Sequence, residues 1–213
     1  VDKGTAMFGT APGQEVFVFG SEDEGPITHL MMTTDAEGSP TVLTAGSLVF
    51  HVIDRQGQLY LRVKDRESEN LKGFTGIDRF PVDAKWRVKA RLEGEPGTVV
   101  VPDVLGNNSE VPSPGTLVFK VAGKECRLTP QGERGQSLFV VFGDATNMTD
   151  TYPGGRFLVV MPPDEEGVIW VDFNRAYNPP CVFTEFATCP LPSPDNKLEV
   201  AVEAGEKRWG SGH

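Results

Sequence analysis

The sequence predicts an all-β protein, a barrel or a sandwich of about ten antiparallel strands with little helix. Three observations carry this. Apolar residues recur with period two, not the helical period, along most of the chain. Glycine (24) and proline (17) interrupt it at short intervals, as turn residues do. No window offers a long amphipathic helix with capping residues, so helix is expected only in connections such as 66–71 and 175–187.

Taken in order, Val16, Phe17, Val18 and Phe19 form a short apolar run between Gly13 and Gly20. A second run, 48–53, is followed by the turn residues Asp54, Arg55, Gln56 and Gly57 and by the alternating stretch 58–63, which together predict a β-hairpin. After a polar bridge at 64–73, residues 86–92 alternate strictly: Trp86, Val88, Ala90 and Leu92 on one face, Arg87, Lys89 and Arg91 on the other. This is the pattern of a strand buried on one side only. Residues 98–101 read as a strand, and 102–115, with Pro102, Gly106, Pro112, Pro114 and Gly115, as a loop. A second hairpin is expected at 116–128. Apolar strands are expected at 137–142 and 156–161, an alternating one at 168–173, and a last one at 198–202. Trp86, Trp170 and Phe157 are expected in the core. The division expected is an N-terminal β-hairpin region, 1–70, forming a small subdomain; a main β domain, 71–209, that carries a polar motif near its C-terminal end; and a tag remnant, 210–213.

The 213 residues carry a net charge of −10. Such a surface repels phosphate backbones and anionic lipid, so neither nucleic acid nor membrane is the expected partner. No stretch approaches the ~20 apolar residues of a membrane span. With no signal-like segment either, a cytoplasmic protein is expected, its N-terminus open to truncation because it starts at Val1 rather than Met. Cys126, Cys181 and Cys189 are too few, and odd in number, for a disulfide-stapled secreted scaffold.

Residues 152–206 differ in kind. Asp172, Asn174, Arg175, Tyr177, Asn178, Cys181, Cys189 and Asn196 crowd around Pro179, Pro180, Pro190, Pro192 and Pro194, directly after an apolar strand. Polar groups on a stiff loop at the mouth of a β scaffold suit a binding site. The run Asp172-Phe173-Asn174-Arg175-Ala176-Tyr177-Asn178-Pro179-Pro180-Cys181, the run Ala187-Thr188-Cys189-Pro190-Leu191-Pro192, and Asn196, Leu198 and Ala204-Gly205-Glu206-Lys207 resemble the family catalogued as domain of unknown function 1684. Upstream, Phe80-Pro81-Val82, Trp86-Arg87-Val88, Ser113-Pro114-Gly115, Asp144-Ala145-Thr146 and the stretch from Tyr152 through Gly154-Gly155-Arg156-Phe157 are similar too, so the resemblance spans roughly 58–207. It implies a mainly β domain and no particular activity.

Three functions follow from these residues. The first is a module for a small polar or anionic ligand held by Tyr152, Arg156, Asn174, Arg175, Tyr177 and Asn178, the guanidinium forks matching carboxylate or phosphate. The second is an enzyme such as a hydrolase, with Asp172 or Glu203 as base and Cys181 as nucleophile. The third is a structural or interaction domain without a ligand, its asparagines and aspartates capping turns and its arginines in ion pairs such as Arg156 with Asp172. Cys181 and Cys189 can be a disulfide, buried apolar groups, or a nucleophile with a bystander. No cofactor is implied by a motif. Flavin on a β-barrel is a fold analogy alone, and Cys-x7-Cys is not a zinc spacing, so no metal is expected. His29 and His51 read as ordinary strand residues.

Overall fold

A computed structural model describes residues 5–55 and 57–210. The turn position Gln56, and Ser211, Gly212 and His213 of the expected tag remnant, lie outside the described residues. The chain divides into two compact units, one ending at Phe74 and one starting at Thr75. It is mainly β, and every strand pair is antiparallel. No helix among the described residues is long and apolar enough to cross a membrane.

The first unit holds β1 (Thr5–Gly9), β2 (Phe17–Val18), β3 (His29–Thr33), β4 (Val42–Ala45), β5 (Leu48–Arg55) and β6 (Gln58–Asp65). β1 pairs with β3, and the other four form a sheet in the order β2-β4-β5-β6. The predicted hairpin is β5–β6. Its turn closes where the Gly57 N–H donates to Asp54 Oδ1 at 2.7 Å, with Gly57 at φ +83°, a conformation glycine adopts without strain. Val16, Met32, Leu43 and Val52 form the core of this unit, with Phe8 and Phe50 packed against it. The one α-helix among the described residues, α1 (Glu69–Lys72), is a single turn capped by Ser68 Oγ, which accepts from the Leu71 N–H at 3.2 Å.

The second unit holds β7 (Arg87–Glu93), β8 (Gly97–Pro102), β9 (Asn108–Ser113), β10 (Thr116–Val121), β11 (Lys124–Leu128), β12 (Leu138–Phe142), β13 (Arg156–Val160) and β14 (Ile169–Asp172). Four strands form an open sheet in the order β11-β10-β7-β14, while β8–β9 and β12–β13 are hairpins. Alternation decides the faces. Trp86, Leu117, Phe119, Val121 and Val171 point inward and meet Leu138, Val140, Phe142, Leu158 and Val160 of the β12–β13 hairpin in one core. Phe173 lies fully buried at its centre, its ring 5.7 Å from Phe119 and 5.3 Å from Phe142. The layering is that of a sandwich; each sheet among the described residues is open, so the barrel alternative is not what forms.

Three sequence expectations need correction. The loop expected at 102–115 contains β9, because Pro112 sits in a two-stranded hairpin opposite Thr98, where a missing N–H is tolerated. Residues 198–202 form no strand, with a bend at Glu199 and Val200, and bury Leu198, Val200 and Val202; the Leu198 N–H and the Val200 carbonyl bond to backbone, and the Val202 N–H and carbonyl to side chains, as described below. Trp170 is not in the core. It points outward between the inward-facing Ile169 and Val171.

Candidate functional site

Arg156 opens β13, and the β12–β13 register sets it opposite Phe142. Asp144, two residues beyond β12, is therefore adjacent. Arg156 Nη2 donates to Asp144 Oδ2 at 2.8 Å and to the Val202 carbonyl at 2.9 Å. Nη1 donates to the Ala204 carbonyl, and to Glu206 O at 3.4 Å. The other Asp144 oxygen accepts from Thr146 N (2.8 Å), Thr146 Oγ1 (2.6 Å) and Val202 N (3.2 Å). Both side chains are closed to solvent. Burial pushes the Arg156 guanidinium down from its usual value, against the pull of the Asp144 charge. The pairing with Asp172 is thus replaced by one with Asp144. The guanidinium expected to grip a ligand is occupied by protein oxygens, with Arg156 Nε alone lacking a partner among the described residues.

Neighbouring glycines make room for this arrangement. At Gly155 (φ +86°) a Cβ would lie 2.6 Å from the Phe142 carbonyl oxygen, and at Gly205 (φ +75°) 2.5 Å from that of Ala176. Both distances are prohibitive and both φ values unfavourable for other residues.

The remaining motif residues also bind backbone. Asp172 Oδ1 caps the 3-10 turn Phe173–Arg175, accepting from Asn174 N at 3.1 Å and Asn174 Nδ2 at 3.0 Å. Asn174 in turn brackets Asp83, donating to its carbonyl at 3.0 Å and accepting from its N–H at 3.1 Å. Asn178 donates from N and Nδ2 to Glu206 Oε2 at 2.7 and 3.2 Å, and from Nδ2 to the Lys207 carbonyl at 2.8 Å. The second Glu206 oxygen accepts from Arg79 at 2.9 Å. Tyr177 exchanges two 2.9 Å backbone bonds with Phe157 and meets its ring edge-on at 5.8 Å. Burial, with the Glu206 charge second, pushes its phenol up. Tyr152 packs over Gly154. Arg175 and Glu203 are exposed, and neither makes a hydrogen bond or ion pair with the described residues.

Cys181 and Cys189 are joined in a disulfide with their Cα atoms 6.2 Å apart. In this form Cys181 has no thiolate to act as nucleophile. Cys126 is free and lies in the core, where burial raises its thiol pKa. His29 and His51 lie in β3 and β5. Burial, then the charges of Arg62 and Lys64, push His51 below its usual range. Among the described residues no three His, Cys, Asp or Glu side chains converge.

Two concavities of the second unit lie elsewhere. One, of about 150 Å³, is walled mainly by Leu92, Leu138, Met161, Pro162, Pro163 and Ile169. The other, of about 510 Å³, opens on the outer face of the four-stranded sheet over Val88–Arg91 and Val118–Lys120. Neither takes a wall from the predicted site residues. On that outer face Arg91 and Arg127 are neutralised by Glu93 and Glu125 through four contacts of 2.6–3.4 Å. They flank Val118, their cross-strand neighbour, which is only 1% exposed, as expected beneath long aliphatic stems. The β10–β7 register ends at the Phe119–Ala90 pair; Lys120 and Lys89 follow it on their strands, and both line the larger concavity. Neither has an ion pair among the described residues, since Glu125, opposite Lys120, is taken by the arginines. Trp170, opposite Lys89, lies 4.4 Å from the Arg87 guanidinium and 5.3 Å from Lys89 Nζ, its indole N–H donating to Asp164 at 2.8 Å.

Residues 72–207 match the family model described as "Protein of unknown function (DUF1684)". The chain belongs to that family. Among solved structures, the chain is similar to an uncharacterized protein of Haloarcula marismortui determined by solution NMR. The two share 32% identity over 64% of this chain and 78% of that one, with a TM-score of 0.51. No curated protein matches. The DUF1684 match begins after β6 and covers both the buried knot and the outer face with its lysines. Sequence reasoning missed Asp144, Glu206, Arg79 and Asp83, the partners that occupy the motif. Asp144-Ala145-Thr146 and Glu206 stood among the residues of the DUF1684 resemblance, which was the one signal available.

Proposed function

We propose that this DUF1684 domain is a binding module for a small multivalent anion, a polycarboxylate or phosphate ester, held on the outer face of its four-stranded sheet. The observation that carries the reading is the Lys89–Lys120 pair. Like charges close together on one sheet face are unfavourable, and here Glu125 is engaged by the arginines while Asp164 acts on Lys89 without forming an ion pair among the described residues. An anion bridging the two ammonium groups would relieve the repulsion. The concavity above them, about 510 Å³ and open to solvent, is within the volume range of small-molecule sites. The chain as a whole, at net charge −10, repels anions at long range, so binding would be local and weakened by salt.

The polar motif has a structural part in this reading. It fastens 202–207 to the ends of β12 and β13, which keeps the core under the sheet closed. Calorimetric titration with citrate and with pyrophosphate tests the proposal. Binding is expected for the native chain, with at least a tenfold loss in Lys89→Ala/Lys120→Ala and no change in Arg175→Ala. Equal affinity in the lysine variant, or loss in the Arg175 variant, would overturn it.

A further inference from the structure

We infer that β6 is a dimerisation strand, pairing antiparallel across a two-fold axis with β6 of a second copy. In the sheet order β2-β4-β5-β6 it is the last strand, and among the described residues no other strand pairs with its outer side. It is eight residues long and in continuous register with β5, from Leu48 opposite Asp65 to Arg55 opposite Gln58. Neither proline nor glycine interrupts it, and a regular edge of this kind is a template for another strand.

Its side chains add a second reason. Leu59, Leu61 and Val63 lie on one face and are 37%, 60% and 50% exposed. Leu61 and Val63 stand opposite Val52 and Phe50, which belong to the core of this unit. The apolar face of the sheet thus runs past β5 with these side chains left exposed among the described residues, where soluble chains usually place polar groups.

The sequence of β6 fits itself in one register. Antiparallel pairing about a two-fold axis keeps the faces matched only when the axis passes through a residue pair. Centred on Arg62, it would set two guanidinium groups against each other. Centred on Tyr60, it would pair the strand with the turn at 55–57. Centred on Leu61, it sets Leu61 against its counterpart, Leu59 against Val63, Tyr60 against Arg62 and Gln58 against Lys64. The apolar stripe is then continuous across both copies, each arginine meets a tyrosine, and no like charges oppose.

Light scattering coupled to size exclusion on the full chain, over a concentration series, tests this. Twice the monomer mass is expected, falling to the monomer mass in Leu61→Lys with an unchanged circular dichroism spectrum. Because that variant could disturb the sheet itself, Leu61→Cys is the second probe. It should cross-link to its counterpart on oxidation, while Glu67→Cys should not. A monomer at every concentration, a dimer that survives Leu61→Lys, or equal cross-linking at both positions would overturn the inference.

Discussion

Arg156 Nη2 meets Asp144 Oδ2 at 2.8 Å with neither side chain open to solvent, and together the two side chains bind backbone groups of Val202, Ala204 and Glu206. Asp144 accepts the Val202 N–H, and Arg156 donates to the carbonyls of Val202, Ala204 and Glu206. Backbone bonds from the Leu198 N–H to the Gly143 carbonyl and from the Ala145 N–H to the Val200 carbonyl hold the start of this segment, and the ion pair serves its later part, where buried backbone groups need partners. Removing either partner strands a buried charge as well as those groups. Asp144→Ala and Arg156→Met should each lower the unfolding free energy by about 3–5 kcal/mol, read as a shift of the urea midpoint. A change below about 1 kcal/mol would mean that the segment is held by its apolar side chains and backbone bonds without the ion pair.

The Cys181–Cys189 bond closes a short loop, with a sequence separation of 8. Chain-entropy arguments give such a loop roughly 2–3 kcal/mol. Cys181→Ser/Cys189→Ser should be destabilised by about that amount. Thiol titration of the unfolded native chain should find one reactive group, Cys126, rising to three after reduction. Three thiols without reductant would contradict the pairing.

Gly205 sits at φ +75°, with the space for a Cβ taken by the carbonyl oxygens of Ala176 and Phe173. Gly205→Ala should cost about 2 kcal/mol or more. Gly167→Ala, also at positive φ (+77°) but with nothing within 4 Å, should cost only the conformational part, about 1–2 kcal/mol. Paired denaturation curves separate the two effects.

In the first unit, hydrogen bonds from Arg55 and from the Asp54 N–H hold the Asp35 carboxyl at about 2, below the usual aspartate value of 3.8. A depressed carboxylate contributes stability above its unfolded pKa and loses it as pH falls through the folded one. The loss should therefore fall between about pH 3.8 and pH 2. Acid titration of the native chain and of Asp35→Asn should show their stability difference shrinking through that window. A difference that stays constant down to pH 2 would contradict the assignment.

How much of this was legible in the sequence depended on whether the deciding contacts were local. The alternation of Trp86, Val88, Ala90 and Leu92 against Arg87, Lys89 and Arg91 gave β7 its two faces without further information, and Gly57 marked the β5–β6 turn. β9 was hidden because Pro112 and the flanking glycines of 102–115 carry the composition of a loop. The segment 198–202 was read as a strand because its apolar alternation is real; that it bends at Glu199 and Val200 and lends the Val202 backbone to Asp144 and Arg156 depends on the fold. At the polar motif, the residue types and the rigid prolines were legible as a special segment. Whether Arg156 faces a ligand or a protein carboxylate was not, since that is set by the β12–β13 register and by a carboxylate 12 residues upstream. Trp170 was assigned to the core on size, whereas strand parity puts it outside with Lys89.

The account rests on the motif being internal scaffolding while the outer sheet face with Lys89 and Lys120 meets the ligand. The most direct measurement is an amide and indole NMR titration of the 213-residue chain with citrate. Shift changes should concentrate at Lys89, Arg91, Lys120 and the Trp170 indole. Changes centred instead on Arg175, Tyr177 and Asn178 would contradict it.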